Sequence, residues 1–552
     1  MLIWIFIYAV TFVIISVLWK KRWLLYHAWK IPGPFSVPLV GSAFLLSATK
    51  DNFFDLICGK MESWRPVTKF WVGSQLYIAT TRPTDVEKIL TNCLNKSPFY
   101  ENFNDIMKDT LLTSKVSIWK EHRKMINPSF NSKILNSHHD TFVKYSREMV
   151  KILDDKEGVE QTDFLQVIWE KTVDVALATL TNVKPHVVKK RQRITSITAR
   201  YEQILIQRFH TFWLLIEFFW KLSNLHKEHK MLCETSHEIA KNIIAEEYMS
   251  HETEDRNDDT IESKRFLRNL TKLNRTMQIS REEILEETIF MIIAASETSA
   301  LTVNTVLTIL GIYSDIQERV YQELVSVLPN IENSPTQEEI NRLDYLERVI
   351  KETLRLVPTA PLILRYADED IKCDPYVFPA GSNLVVPLIL LHRAPEVWPE
   401  PEKFDPDRFL PDEVAKRHRC SYIPFSFGAR NCIGLRFGMM EVKIMVATIL
   451  RNFKVQTVGG REEISKEKIP RGLDPTNPQA KLSIPTLRGK YWFKKNNVYA
   501  SCMAGDLVLD IKDLLQMPHP SSPRKYLLSL DNVLLLSIQS RFDEKWCNDM
   551  MS

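Results

Sequence analysis

The stretch "PFSFGARNCIGLRFG", residues 424–438, gathers three of the chain's 15 glycines around one of its eight cysteines, Cys432. The fixed types are Phe425, Gly428, Arg430, Cys432 and Gly434. Cysteine does chemistry as the thiolate, which is both a nucleophile and a metal ligand. Leu435 to Phe453 has a helical pattern, so Cys432 stands just before a helix N-terminus. Backbone N–H groups and the positive end of the helix dipole stabilise a thiolate there. Glycines clustered in a glycine-poor chain mark backbone that turns tightly or comes close to something bulky. A lone cysteine is more often a small buried hydrophobe. The residues fixed around this one argue against that reading.

Other pairs carry charge at helical spacing. "WKEHR" puts Trp119 and Arg123 at i and i+4, on one face. "KETLR" puts Glu352 and Arg355 at i and i+3, and the proline-rich "PEKFDPDRF" supplies Arg408. Glu297 and Thr298, an acid beside an alcohol, interrupt the apolar run "ETIFMIIAASETSALTVNTVL". Polar side chains there must be buried or face a cavity, and such a pair is suited to general acid work.

The elements that position these groups are mostly helical. Ser280 with Glu283 predicts a capping box, opening a helix that runs to Leu310 with Gly311 as its stop. About thirty residues make a rod of about 45 Å, long enough to cross a domain. Ser314 with Gln317 predicts a second box. Residues 362–366 and 384–390 read as strands, and 395–411 as irregular. "SHETEDRNDDTIESK" (250–264) is a solvated loop. The expected architecture is one large domain, mainly α with small β-sheets (α+β), covering 43–495.

The N-terminus has no charged residue from Met1 to Trp19, and Lys20, Lys21 and Arg22 follow. Nineteen helical residues span about 28 Å, roughly a bilayer's hydrocarbon core. A cleaved leader would carry its positive charge first. Residues 1–22 are therefore expected to be a single-pass membrane anchor with the body of the chain in the cytoplasm, and 23–42 a proline-rich linker. The net charge of +4 gives no case for nucleic acid. The eight cysteines show neither CxxC pairs nor zinc spacing, which favours a reducing compartment. Residues 496–552 contain no motif and are expected to be an atypical, poorly ordered and dispensable extension.

The F-x-x-G-x-R-x-C-x-G spacing resembles the haem-binding signature of the cytochrome P-450 haem-thiolate monooxygenases. "RLDYLERVIKETLR" and "HRAPEVWPEPEKFDPDRF" resemble the family-four clan in its insect branch. The resemblance implies haem b with an axial thiolate from Cys432. It gives Trp119, Arg123, Arg365, Phe425, Gly428, Arg430 and Gly434 to cofactor binding, and Glu352, Arg355 and Arg408 to a buried structural triad. His392 falls where the family often has His-Arg. "AASETS" is similar to the family's oxygen-side motif, making Glu297 and Thr298 catalytic, with Ala294 and Ala295 leaving room above the iron. The clan usually has a glutamate at the position of Ala294, linked to haem in some members; alanine implies non-covalent haem.

The implied function is insertion of one oxygen atom from O2 into a hydrophobic small molecule: a fatty acid, a hormone-like lipid or a xenobiotic. Electrons come from NADPH through NADPH-cytochrome P-450 reductase, with cytochrome b5 as a further partner, at the endoplasmic reticulum membrane. Lys416, Arg417, Arg419, Arg436 and Lys443 are candidates for reductase docking. Two alternatives stand beside this: a haem-thiolate isomerase or dehydratase acting without a reductase, and a non-catalytic haem or lipid binder.

Overall fold

The computed structural model describes residues 19–36, 61–155, 164–181, 191–253 and 265–457, with short stretches outside these ranges. Met1–Met517 forms one compact unit, and residues 518–552 lie outside the described residues. The anchor expected at 1–22 is described only in fragments, and most of the extension at 496–552 lies outside the described residues. Within the extension, Tyr499–Ala500 and Leu509–Asp510 pair antiparallel with each other.

The helices that matter for the site are α1 (Pro83–Asn92), α2 (Val116–Ile126), α3 (His139–Asp155), α4 (Phe164–Leu180), α5 (Arg191–His210), α6 (Asn224–Thr253), α7 (Phe266–Arg275), α8 (Arg281–Ile312), α9 (Ser314–Val327), α10 (Asp344–Leu356) and α11 (Leu435–Asn452). At its start α8 carries the expected box: Glu283 N–H donates to Ser280 Oγ at 3.1 Å, and Ser280 N–H to Glu283 Oε2 at 2.7 Å. Such a cap stabilises a helix by about 1 kcal/mol. Leu301, Ala300 and Val303 to Leu310 are buried, so α8 is walled in nearly all round, packed chiefly against α4 and α11. Among the described residues it alone is long and apolar enough to cross a membrane, and 78% of that window is buried inside the protein, as expected of a core helix.

The main sheet has four strands: β1 (Val67–Val72), β2 (Gln75–Thr80), β3 (Leu362–Tyr366) and, beyond the short hairpin of β4 (Ile371–Cys373) and β5 (Tyr376–Phe378), β6 (Asn383–Pro387), in the order β1-β2-β6-β3. β2 and β6 run parallel, and β6 and β3 antiparallel with Leu364 opposite Val385. Because strand side chains alternate, Ile363 and Arg365 share one face of β3.

Several local expectations are corrected. The Ser314–Gln317 box does not form: α9 is capped by Tyr313 without a side-chain bond. Gln317 instead donates to Leu310 O and Val455 O, so tertiary acceptors outcompete the local one. Gly311 lies inside α8, which ends one residue later. The strand expected at 384–390 stops at Pro387, and Leu388–Leu391 forms a helical turn. The first part of the expected linker is the helix Arg22–Lys30, with His27 and Ala28 buried. It is held by Trp23 Nε1–H to Asp370 at 2.8 Å; only the part after Lys30 is proline-stiffened chain.

Candidate functional site

The cysteine loop is a tight hairpin of irregular backbone. Cys432 N–H donates to Phe425 O at 2.9 Å and Ser426 N–H to Ile423 O at 2.9 Å. Ser426 and Gly428 adopt left-handed backbone, with φ of 64° and 77°. Gly428 is required there for a second reason: a Cβ would lie 2.6 Å from the Leu90 carbonyl oxygen of α1. The close approach foreseen at this glycine is therefore to protein backbone. At Gly434 a Cβ would be 3.8 Å from Cys432 Sγ, an ordinary contact. That glycine acts through its N–H, which bonds the Cys432 sulfur.

Cys432 opens into a cavity with about 1510 Å³ of space, mouth included, between α8 and the cysteine loop. The sulfur is exposed to that space. It is deep enough that burial pushes its thiol up, against the Gly434 N–H and the positive charge of Arg123. Facing the cavity from α8 are Phe290, Met291, Ala294, Ala295, Thr298 and Thr302. Positions 291, 294, 298 and 302 follow one helical stripe. Thr298 Oγ1–H donates to Ala294 O at 2.8 Å. Glu297 is buried, 1% exposed, and is not part of the cavity wall. The adjacent acid and alcohol thus part company: only the alcohol faces the space.

Three arginines reach the same cavity. Arg123 donates to Asn431 O at 2.9 Å and Asn431 Oδ1 at 3.1 Å. Arg430 donates to Ser114 O at 2.9 Å and lies 4.4 Å over the Trp119 ring. Trp119 lines the same cavity as Arg123 from the same helix, and its ring is in addition a platform for Arg430. Arg365 comes from the Ile363 face of β3 and donates to Leu364 O at 3.0 Å. Burial, and then the Arg365 charge, brings Arg430 down to about 9. Among the described residues no carboxylate pairs with any of the three, and the Nε atoms of Arg365 and Arg430 have no acceptor. Guanidinium groups converging on an apolar cavity without an acid fit the carboxylates of a flat anionic macrocycle, and a sulfur exposed to the same space fits its metal. These residues therefore fit haem.

Glu352, Arg355 and Arg408 come together elsewhere, beside the 400–408 segment. Arg355 donates to Glu352 through Nε at 2.7 Å and Nη2 at 2.9 Å, and to the carbonyls of His392, Pro401 and Lys403. Arg408 Nε is 3.5 Å from Glu352 Oε1. Buried His392 links this cluster to the cysteine loop by accepting Ile423 N–H at Nε2, 3.0 Å away. Glu87, His418 and Cys420 also lie together. His418 Nε2 already faces Glu87 and its Nδ1 accepts Cys420 N–H, so the imidazole is occupied.

The sequence reading missed two clusters. His122 sits between Glu287 (Nδ1 to Oε1, 2.8 Å) and Glu283 (Nε2 to Oε1, 3.3 Å). Burial pulls the imidazole down, but the two carboxylates outweigh it and raise its pKa. Glu441, on α11, meets Ser299 of α8. Nothing local signals either partner; an acid on the buried side of α11 was the one available hint. The docking candidates also need revision. Lys443 is buried and paired with Glu347 at 3.0 Å. Arg417 stacks 4.3 Å over Trp398 and donates to Arg408 O. Lys416, Arg419 and Arg436 remain exposed.

The cytochrome P450 family model matches residues 31–483. Cytochrome P450 4c21 of Blattella germanica is 31% identical over 462 residues, 81% of this chain and 92% of the relative. Cytochrome P450 4c3 of Drosophila melanogaster is 30% identical over 469 residues, 81% of this chain and 88% of the relative. Cytochrome P450 4V2 of Pongo abelii is 32% identical over 454 residues, 78% of this chain and 85% of the relative. A match of that extent, with the cysteine loop and the long core helix inside it, places the chain in the cytochrome P450 family, the haem-thiolate monooxygenases.

Proposed function

We propose that the chain hydroxylates a hydrophobic small molecule, with fatty acids and related lipids as the first class to test. The observation that carries this is the meeting, in one apolar cavity, of an exposed Cys432 sulfur, three arginines without an acid, and a helix stripe of small and hydroxyl side chains. Bound haem, held non-covalently since Ala294 offers no carboxylate, supplies oxygen activation and the redox chemistry. Cys432 would hold its iron as a thiolate, supported by the Gly434 N–H and Arg123 against the burial that raises the free thiol. Arg123, Arg365 and Arg430 would hold the propionates, with Arg430 braced against the Trp119 ring. Phe425 packs beside the sulfur. Thr298 presents its hydroxyl to the cavity and holds a proton there, while Glu297, off the wall, serves as a buried proton source behind it. Leu111, Leu112, Phe290 and Met291 exclude water and receive the apolar substrate.

Electrons come from the NADPH-dependent reductase, docking on the exposed Lys416, Arg419 and Arg436, with cytochrome b5 a second donor. The apolar N-terminal segment, and the exposed Trp213, Ile216, Phe218, Phe219 and Leu222 between α5 and α6, support attachment to the endoplasmic reticulum membrane. Glu352, Arg355 and Arg408 hold the fold.

The test is reconstitution with reductase, NADPH and a fatty-acid panel under isotopically heavy dioxygen. Product carrying one heavy oxygen is expected. Product formed from lipid peroxides without NADPH would favour the isomerase reading instead. Cys432→Ala is expected to abolish turnover and the thiolate signature of the ferrous carbonyl spectrum; a variant that keeps both would end the assignment.

A further inference from the structure

Glu441 lies nine residues after Cys432 on α11 and is 0% exposed. Its Oε2 is 2.5 Å from Ser299 Oγ, and its Oε1 has no hydrogen-bond partner among the described residues. Ser299 directly follows Thr298 on α8 and lines the cavity, as do Phe437, Gly438 and Val442 around Glu441. The bond therefore joins the helix that follows the cysteine to the helix that carries the cavity alcohol, one residue from that alcohol. Among the described residues no charged side chain acts on the carboxyl: Ser299 is the polar group facing it from α8. Burial raises its pKa to about 8, with the Ser299 bond working against the shift. At neutral pH the group is thus an uncharged acid, able to donate as well as accept.

We propose that Glu441 is a positioning residue whose carboxyl clamps α8 to α11 through Ser299, fixing where Thr298 stands relative to Cys432. This rests on the haem-thiolate reading for its effect on oxygen chemistry, though not for the bond itself. Loss of the proton leaves a buried carboxylate with no cation to answer it. Such a charge draws water towards the α8–α11 seam, and the clamp loosens.

The test uses the haem-loaded full chain in native form and as Glu441→Gln, Glu441→Leu and Ser299→Ala. The first readout needs no substrate: the rate at which reduced, oxygenated protein returns to the ferric form. The native protein is expected to be slow near pH 7 and several-fold faster near pH 9. Glu441→Gln, which keeps a neutral donor and acceptor, should be slow at both; Glu441→Leu and Ser299→Ala should be fast at both. An amide variant that accelerates with pH as the native protein does, or a leucine or alanine variant as slow as the native protein, overturns the proposal. Should Glu441→Leu fail to hold haem, Ser299→Ala breaks the same bond from the other side.

The second readout is thermal unfolding against pH. An acid whose folded pKa is raised costs stability as pH climbs from the unfolded value to the folded one. The Tm advantage of Glu441→Gln over the native protein should therefore grow between about pH 5 and pH 8; a constant difference overturns the buried neutral acid. This comparison involves no oxygen chemistry, so it stands or falls apart from the haem-thiolate reading.

Discussion

Two sets of buried arginines in this fold differ in what answers their charge. Arg355 is 0% exposed and has all five N–H donors matched: two by Glu352 and three by backbone carbonyls. Arg365 is 1% exposed, yet it donates to the carbonyl of the residue before it, and no carboxylate meets it among the described residues. Burial does not separate the two sites; completeness does. A buried cation answered wholly by protein is a brace, and one left short of an anion is a receptor for that anion.

The largest expected effect tests the brace. Glu352→Ala leaves Arg355 and Arg408 without their carboxylate and should cost roughly 3–5 kcal/mol of stability. It should be read as loss of folded protein or a collapse in Tm; a variant with native Tm would erase the contrast. Arg365→Leu should act oppositely in kind, keeping the fold while releasing haem. A charged hydrogen bond is worth about 1.5–3 kcal/mol, so haem transfer to an acceptor protein should be about ten- to a hundredfold faster. If Arg365→Leu instead destabilises the apoprotein as Glu352→Ala does, Arg365 belongs with the brace.

His392 joins the two regions and gives a graded test. Burial, then the charges of Arg355 and Arg393, push its imidazole down to about 3. The folded state thus refuses a proton that the unfolded chain accepts near its ordinary pKa of about 6.5. Its contribution to stability is present above that value and lost as pH falls towards 3. His392→Asn should flatten the stability profile in that window by up to about 1.4 kcal/mol per pH unit, followed by denaturant unfolding at several pH values. The smallest effect on stability belongs to Thr298→Ala, since among the described residues the hydroxyl bonds only the Ala294 carbonyl of its own helix. Tm should move little, within about 0.5 kcal/mol, while oxygen use separates from product formation. Undiminished coupling would remove Thr298 from the chemistry.

What the sequence made legible was local in the chain. The cysteine spacing, the Ser280–Glu283 box and the Glu352–Arg355 step each depend on residues within a few positions of one another, and each stands where expected. The Ser314–Gln317 pair had the same local form, yet distant carbonyls claimed Gln317. The basic set near the cysteine was read as one surface because charge shows in a sequence and burial does not; Lys443 turned inward to Glu347. Trp119 under Arg430, His122 between two glutamates, and Ser299 against Glu441 bridge segments more than a hundred residues apart. Their meeting is decided by how helices pack, which no short window records.

The carbonyl of Leu90 seated against Gly428 bears on transplanting the sulfur-bearing hairpin into another scaffold. The hairpin is keyed to a helix more than three hundred positions upstream, by a gap that admits a hydrogen atom and nothing larger. A graft of residues 424–438 alone would carry the right letters into a host without the matching ledge, and the sulfur would arrive off its mark. Recipient scaffolds should therefore be chosen for a helix terminus at that spot before any thought is given to the cavity above.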